Sequence, residues 1–373
     1  MQGGEVEEAL QDRIARAQAQ MRTTDVDLMV LSLGSNLKYL TGFSDEPGER
    51  LLLLLVPREG DPVFLVPELY EDQVRRASRI GNLRVWKDED DPRTLLGQTI
   101  ASLGVGKGDV AVDDSMWATF LLELQTVLPK ATFSGASRIL VPLRMEKSAS
   151  EVRAMEEAGA IADQAFEEIL THKVSGTSEL ELARVLQDSM LAHGADAVAF
   201  ETLIASGPNS ALPHHRAGRR TIAPGDVVIL DYGCRVRGYC SDVSRTVVCQ
   251  TASDEIREVH AIVQEAQEEA VRKVKPGVEA EAVDRAARAV ISRAGHGERF
   301  VHRTGHGIGL DVHEPPYIVK GNHLKLREGM TFSVEPGIYL RRDWGIRIED
   351  VVVVTDTGAR PMTRSTHEQR VVQ

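Results

Sequence analysis

Residues 227–242 read Val-Val-Ile-Leu-Asp-Tyr-Gly-Cys-Arg-Val-Arg-Gly-Tyr-Cys-Ser-Asp. An apolar run ends in Asp231, a short turn follows, and a second strand carries Asp242. With a hairpin turning at Val236 and Arg237, residue 235 faces 238, 233 faces 240 and 231 faces 242. Directly opposed residues point to one face with Cβ atoms about 4.5–5.5 Å apart. Asp231 and Asp242 are therefore expected to converge. Residues 333–350 repeat the device: Ser-Val-Glu-Pro-Gly-Ile-Tyr-Leu-Arg-Arg-Asp-Trp-Gly-Ile-Arg-Ile-Glu-Asp. A hairpin centred on Arg342 sets Glu335 opposite Glu349, beside an apolar strand at 351–354. Like charges opposed in a sheet are destabilising, and burial makes this worse. One such pair reads as solvated surface charge. Two pairs, each flanked by apolar strand residues, call for a cation.

An imidazole completes the set. Residues 302–314 read His-Arg-Thr-Gly-His-Gly-Ile-Gly-Leu-Asp-Val-His-Glu. Glycines around His306 permit backbone shapes that bring a side chain close to an ion. Four carboxylates and one imidazole suit Mn²⁺, Fe²⁺, Co²⁺ or Zn²⁺ better than a thiolate-preferring metal. Such a ligand set, four of its members able to bridge or chelate, suits two ions about 3.5–4 Å apart.

Outward from these hairpins the pattern is α+β. Amphipathic helices are expected from 150 onward (Val152, Met155, Ala158, Ile161, Ala162, Phe166 and Ile169 on one face), at 178–193, 253–274 and 279–294. Ser148 and Glu151 are spaced as a capping box. Strands are expected at 202–206, 227–232, 239–249, 330–340 and 345–354. Pro142 interrupts the chain near 141–150, which sets two domains, 1–143 and 148–373. In the first, strands at 27–33, 51–56, 62–66, 83–86 and 110–112 alternate with helices at 68–79, 92–103 and 115–128. That alternation predicts an α/β domain with a mixed sheet. It contains no glycine-rich phosphate loop after a strand.

The composition limits the classes of function. The chain has 373 residues, 42% hydrophobic and 27% charged, as expected of a soluble globular protein. Its net charge of −12 argues against nucleic acid or anionic membrane as the main partner. No apolar run approaches the length of a membrane span. The acidic start (Glu5, Glu7, Glu8) lacks the form of a signal peptide, so a cytoplasmic location is expected. Cys234, Cys240 and Cys249 lack CxxC spacing and read as packing residues.

Asp231, Asp242, His306, Glu335 and Glu349, in this order and context, resemble the metal ligands of the pita-bread metallopeptidases, which include methionine aminopeptidase, aminopeptidase P and prolidase. Ser-Gly-Pro-Asn-Ser-Ala-Leu-Pro-His (206–214), Asp-Tyr-Gly with Gly-Tyr-Cys-Ser-Asp (231–242), Gly-His-Gly-Ile-Gly-Leu-Asp-Val-His-Glu (305–314) and Val-Glu-Pro-Gly-Ile-Tyr (334–339) look like the proline-specific branch. The likeness is strong over 148–373. It implies a pita-bread catalytic domain of antiparallel strands and flanking helices, preceded by an α/β domain.

The resemblance also implies roles. Asp231 chelates one ion, Asp242 and Glu349 bridge both, and His306 and Glu335 bind the other. The ions lower the pKa of a water that becomes the nucleophile, and Glu335 handles its proton as general base and acid. His214 and His313 fall on positions that stabilise the tetrahedral intermediate or hold the substrate; His215 is taken as a neighbour. His302 is expected to line a proline pocket. Arg347 should share the face of Glu349 and orient a ligand carboxylate through a salt bridge. Mn²⁺ is the first expectation for the metal, with Co²⁺, Zn²⁺ and Fe²⁺ open.

The expected reaction is hydrolysis of an Xaa-Pro bond in short proline-containing peptides by a homodimer. A dipeptidase must read a free carboxylate just past the proline, and arginine is its natural reader. Residues 39–50 read as a loop before a Leu-rich strand and resemble N-terminal loops of some bacterial prolidases. Arg50 is the candidate reader, with Asp45 a gate partner. A prolidase is the leading reading and an aminopeptidase P acting on longer peptides the alternative. A metal-dependent lyase on the same scaffold and a non-catalytic binding module are more distant; the latter needs broken ligands, and all five are intact.

Overall fold

The computed structural model describes residues 2–78 and 80–373. The chain forms two compact units, Met1–Arg144 and Met145–Gln373. Among the described residues, no helix is long and apolar enough to cross a membrane.

The first unit is built on a six-stranded mixed sheet. Its order is Leu83–Trp86, Val63–Pro67, Leu53–Pro57, Leu28–Leu31, Gly108–Val112, Ala131–Gly135. The strand Leu28–Leu31 pairs antiparallel with Leu53–Pro57 and parallel with Gly108–Val112. The three strands at 28–31, 53–57 and 63–67 are buried along their whole length. That explains why they read as continuous apolar runs. Helices Pro92–Ser102 and Ala118–Val127 cover one face through Leu96, Ile100, Phe120 and Leu124.

Three local expectations are corrected here. The helix at 68–79 is a short 3₁₀ turn, Glu68–Tyr70, followed by a helix Glu71–Ala77, and Arg79 lies outside the described residues. Pro142 does not break the chain but sits inside the helix Ser137–Met145; it removes one backbone donor without ending so short a helix. The loop 39–50 begins in a helix, Ser35–Thr41, which stops where Gly42 adopts φ 76°.

The second unit pairs its helices in sequence, Ala149–Thr171 with Glu179–Ala192 and Asp254–Lys273 with Ala280–Arg293. Both helices of the first pair start from complete capping boxes, Ser148 with Glu151 and Ser178 with Glu181. Each cap contributes about 1 kcal/mol. All seven apolar positions read from the sequence between Val152 and Ile169 are buried. A four-stranded sheet runs Arg370–Val372, Val243–Cys249, Val227–Tyr232, Leu203–Ser206. A five-stranded sheet runs Glu314–Ile318, Gly305–Gly307, Thr331–Val334, Asp350–Val354, Ala359–Pro361. A bridge between Ser244 and Glu349 joins the two sheets, with the Glu349 amide donating to the Ser244 carbonyl at 3.0 Å.

Candidate metal centre

The two hairpins meet at that bridge. In the second, Gly337–Leu340 pairs with Trp344–Arg347, and the loop Arg341-Arg342-Asp343 carries Arg342 at φ 68°. The same register continues in the ladder beyond, where Val334 opposes Asp350. Glu335 and Glu349 therefore face each other between two ladders, as the sequence reading placed them.

The first hairpin departs from its expected register. Arg235 pairs with Cys240 and Val236 with Tyr239, so the turn is Arg237-Gly238 and not Val236-Arg237. Both turn residues have positive φ, 51° and 85°. A two-residue hairpin turn of this kind demands it, and β-branched Val236 cannot supply it. Asp231 consequently opposes Ser244 instead of Asp242. The pairing has slipped by two residues, which keeps every side chain on its face. Asp231 and Asp242 still line one cavity.

That cavity, of about 440 Å³, also takes in His214, His302, His306, His313, Glu335, Arg347 and Glu349. Nine of the eleven residues singled out from the sequence thus converge. Arg50 and Asp45 belong to the N-terminal unit. There the Arg50 guanidinium makes a forked pair with exposed Asp88 at 3.0 Å and meets Glu49 at 2.9 Å. Asp45 accepts from the Glu46 amide.

At the centre, Asp242, His306 and Glu349 are buried and offer ligand atoms that all lie within 4.8 Å of one another. His306 Nε2 stands 3.3 Å from Glu335 Oε1 and 3.7 Å from Asp242 Oδ2. His306 Nδ1 faces the Gly307 carbonyl at 3.1 Å. A carbonyl only accepts, so the proton belongs on Nδ1 and the Nε2 lone pair faces the carboxylates. The strand Gly305–Gly307 has room for this because the glycines on either side of His306 lack side chains: a Cβ on Gly305 would stand 1.8 Å from the Ser333 carbonyl oxygen.

Arg347 is 3% exposed and ties the cluster together. Its Nη2 donates to Asp231 Oδ2 at 2.6 Å, Nε to Ser244 Oγ at 2.8 Å, and Nη1 to the Tyr339 hydroxyl at 2.9 Å. Ser244 Oγ in turn donates to Glu349 Oε2 at 2.8 Å. The Tyr339 hydroxyl reaches His302 Nε2 at 2.9 Å, while His302 Nδ1 faces the Arg303 carbonyl at 2.8 Å. His302 is thereby held neutral, with burial and then the Arg347 charge pushing it down to about 3. Tyr339 and Ser244 carried no signal of function in the sequence. Each reads as an ordinary strand residue until its partner 37 or 105 positions away is in place.

One arginine does not neutralise four acids. Burial and the neighbouring carboxylates raise Asp242 and Glu349 well above the usual range. Burial drives Glu335 up to about 7, against the pull of Arg347. Among the described residues, Asp231 Oδ1 and Glu349 Oε1 are buried with no hydrogen-bond partner. A buried carboxylate oxygen left unpaired is costly, and a cation supplies the missing partner. The donor set, oxygen-rich with one imidazole nitrogen, fits divalent metal ions.

Residues 153–356 match Metallopeptidase family M24, and residues 13–146 match the Creatinase/Prolidase N-terminal domain. The chain belongs to metallopeptidase family M24. It is a metal-dependent peptidase, with the pita-bread catalytic domain of that family behind a creatinase/prolidase-type domain. It is 40% identical over 365 residues to the "Probable dipeptidase PepE" of Mycobacterium tuberculosis, covering 96% of both chains. It is 34% identical to an Xaa-Pro dipeptidase of Lactobacillus helveticus over 96% of this chain and 98% of that one. A crystal structure of a dipeptidase from Pyrococcus horikoshii OT3 superposes with a TM-score of 0.93 at 41% identity, over 97% of this chain and all of the other.

Proposed function

We propose that this M24 peptidase hydrolyses the Xaa-Pro bond of dipeptides, with Asp231, Asp242, His306, Glu335 and Glu349 holding two divalent ions. The observation that carries the reading is the set of partnerless buried carboxylate oxygens beside an imidazole-lined cavity. The names of the relatives support the substrate class. Mn²⁺ is the proposed ion on the strength of the hard, oxygen-rich donor set.

The ions supply Lewis acidity toward the scissile carbonyl and toward an attacking water. The protein's own residues do the rest. Glu335 takes a proton on a carboxylate oxygen and returns it to the leaving proline nitrogen. His214 and His313 donate hydrogen bonds to the carbonyl oxygen as charge develops on it. His302, neutral and braced by Tyr339, gives the proline ring a flat uncharged wall. Arg347 holds the Asp231 carboxylate in place.

Arg50 is the proposed reader of the free carboxylate, with Asp45 as its gate partner. Replacing Arg50 by Ala then raises KM for dipeptides and spares longer substrates; equal effects on both classes remove it from that role. A homodimer in the cytoplasm completes the proposal, since two-fold assemblies are the commonest among soluble chains. Sedimentation equilibrium at twice the 41.0 kDa chain mass agrees with it, and a monomer does not.

The deciding experiment compares kcat/KM of the Mn²⁺-loaded protein for Ala-Pro and for an Ala-Pro-Xaa tripeptide. Preference for the dipeptide is expected. Preference for the tripeptide makes the enzyme an aminopeptidase P.

A further inference from the structure

The loop that carries His214 is fastened at both ends by one buried carboxylate that takes no part in the cluster. Glu179 is the first residue of the helix Glu179–Ala192 and is fully buried. Its Oε1 accepts from the Ser206 amide at 2.9 Å, the Ser206 hydroxyl at 2.7 Å and Asn209 Nδ2 at 2.9 Å. Its Oε2 meets His215 Nε2 at 2.8 Å and the Gly218 amide at 3.1 Å. Five donors from one stretch of chain converge on one side chain. Capping the helix does not require it, because Ser178 and Glu181 already form the capping box.

Both ends of the segment 206–218 are therefore held by the same group. Between them, the imidazole of His214 has no hydrogen-bond partner among the described residues, so its place is set by the backbone on either side. On one side the Pro213 carbonyl accepts from Arg347 Nη1 at 3.2 Å. On the other is the His215–Glu179 pair. We propose that Glu179, acting through His215 and the 206–218 loop, is a positioning residue that aims His214 at the reacting carbonyl. The inference rests on the reading of His214 as a group that acts on the substrate.

A small misplacement of such a group costs up to about 100-fold in rate. The test measures kcat and KM for Ala-Pro with the Mn²⁺-loaded full chain and its Glu179→Gln, His214→Ala and doubly substituted forms. Hydrogen exchange over 206–218 is followed alongside. In Glu179→Gln, kcat falls about 10- to 100-fold, KM changes less than about twofold, and exchange rises in that segment alone. In the His214→Ala background the same substitution costs nothing further, because there is no longer an imidazole to aim. A purely structural role instead lowers kcat by the same factor in both backgrounds and overturns the proposal.

Should Glu179→Gln fail to fold, position 215 decides. His215→Ala lowers kcat, and His215→Gln, which keeps a donor toward Glu179, recovers most of the loss. Equal activity of the two variants overturns the proposal. If His214→Ala keeps full kcat, the role given to His214 falls and the positioning role with it. If His214→Ala is impaired while Glu179→Gln is not, the positioning role alone falls.

Discussion

Arg347 is the residue on which the site's geometry depends most. It reaches Asp231, Ser244, Tyr339 and the Pro213 carbonyl at once from a buried position, so no one-point cation can replace it. Arg347→Lys is expected to weaken Mn²⁺ binding by about 10- to 100-fold, read by calorimetric titration; unchanged affinity contradicts the role. Glu335 gives a prediction in pH. In the metal-free protein its carboxyl sits near 7 against an ordinary value of 4.5, chiefly through burial. A carboxyl raised on folding binds more protons folded than unfolded between those two values. Its contribution to stability is thus greatest below about 4.5 and is lost as pH rises through about 7. Denaturant unfolding of metal-free protein should show wild type losing stability relative to Glu335→Gln between pH 5 and 7.5. A gap that does not vary with pH contradicts the burial of this charge.

At the scale of strands and turns, the cluster exists because two hairpins are made to touch. Gly233 lies between Asp231 and the turn, and a Cβ there would stand 2.0 Å from the Ser241 carbonyl oxygen and 3.1 Å from the Phe200 ring. Gly233→Ala is expected to push the strands apart, costing about 1–3 kcal/mol and most of the metal affinity. Thermal unfolding and Mn²⁺ titration check both. The second hairpin was legible in full, since an odd three-residue loop and two apolar strands leave one register. The first was legible only in its face. A turn at Val236-Arg237 and one at Arg237-Gly238 put the same residues on the cavity face, and the positive φ of Arg237 and Gly238 selects the second. A slip of two residues leaves both aspartates on the cavity side. A slip of one residue would have turned one of them away.

At the scale of the molecule, two units with a net charge of −12 carry one clear chemistry, and it lies in the second. The sequence disclosed it because the four acids and the imidazole sit in short motifs with local spacing. Glu179 was hidden, because its partners lie 27 to 39 positions away and its helix start already had a capping signature. The N-terminal unit disclosed its mixed sheet through buried apolar runs; its one functional reading, Arg50 with Asp45, came from the likeness of the 39–50 loop, and the partners of Arg50 within its own unit are Asp88 and Glu49.

The claim on which the rest depends is that the five residues hold two ions. The count of Mn²⁺ per chain, by elemental analysis after dialysis against the ion, tests it in the wild type and in Glu349→Gln. Two ions per chain are predicted for the wild type and fewer for the variant. A single ion in the wild type, or two retained without Glu349, contradicts the account.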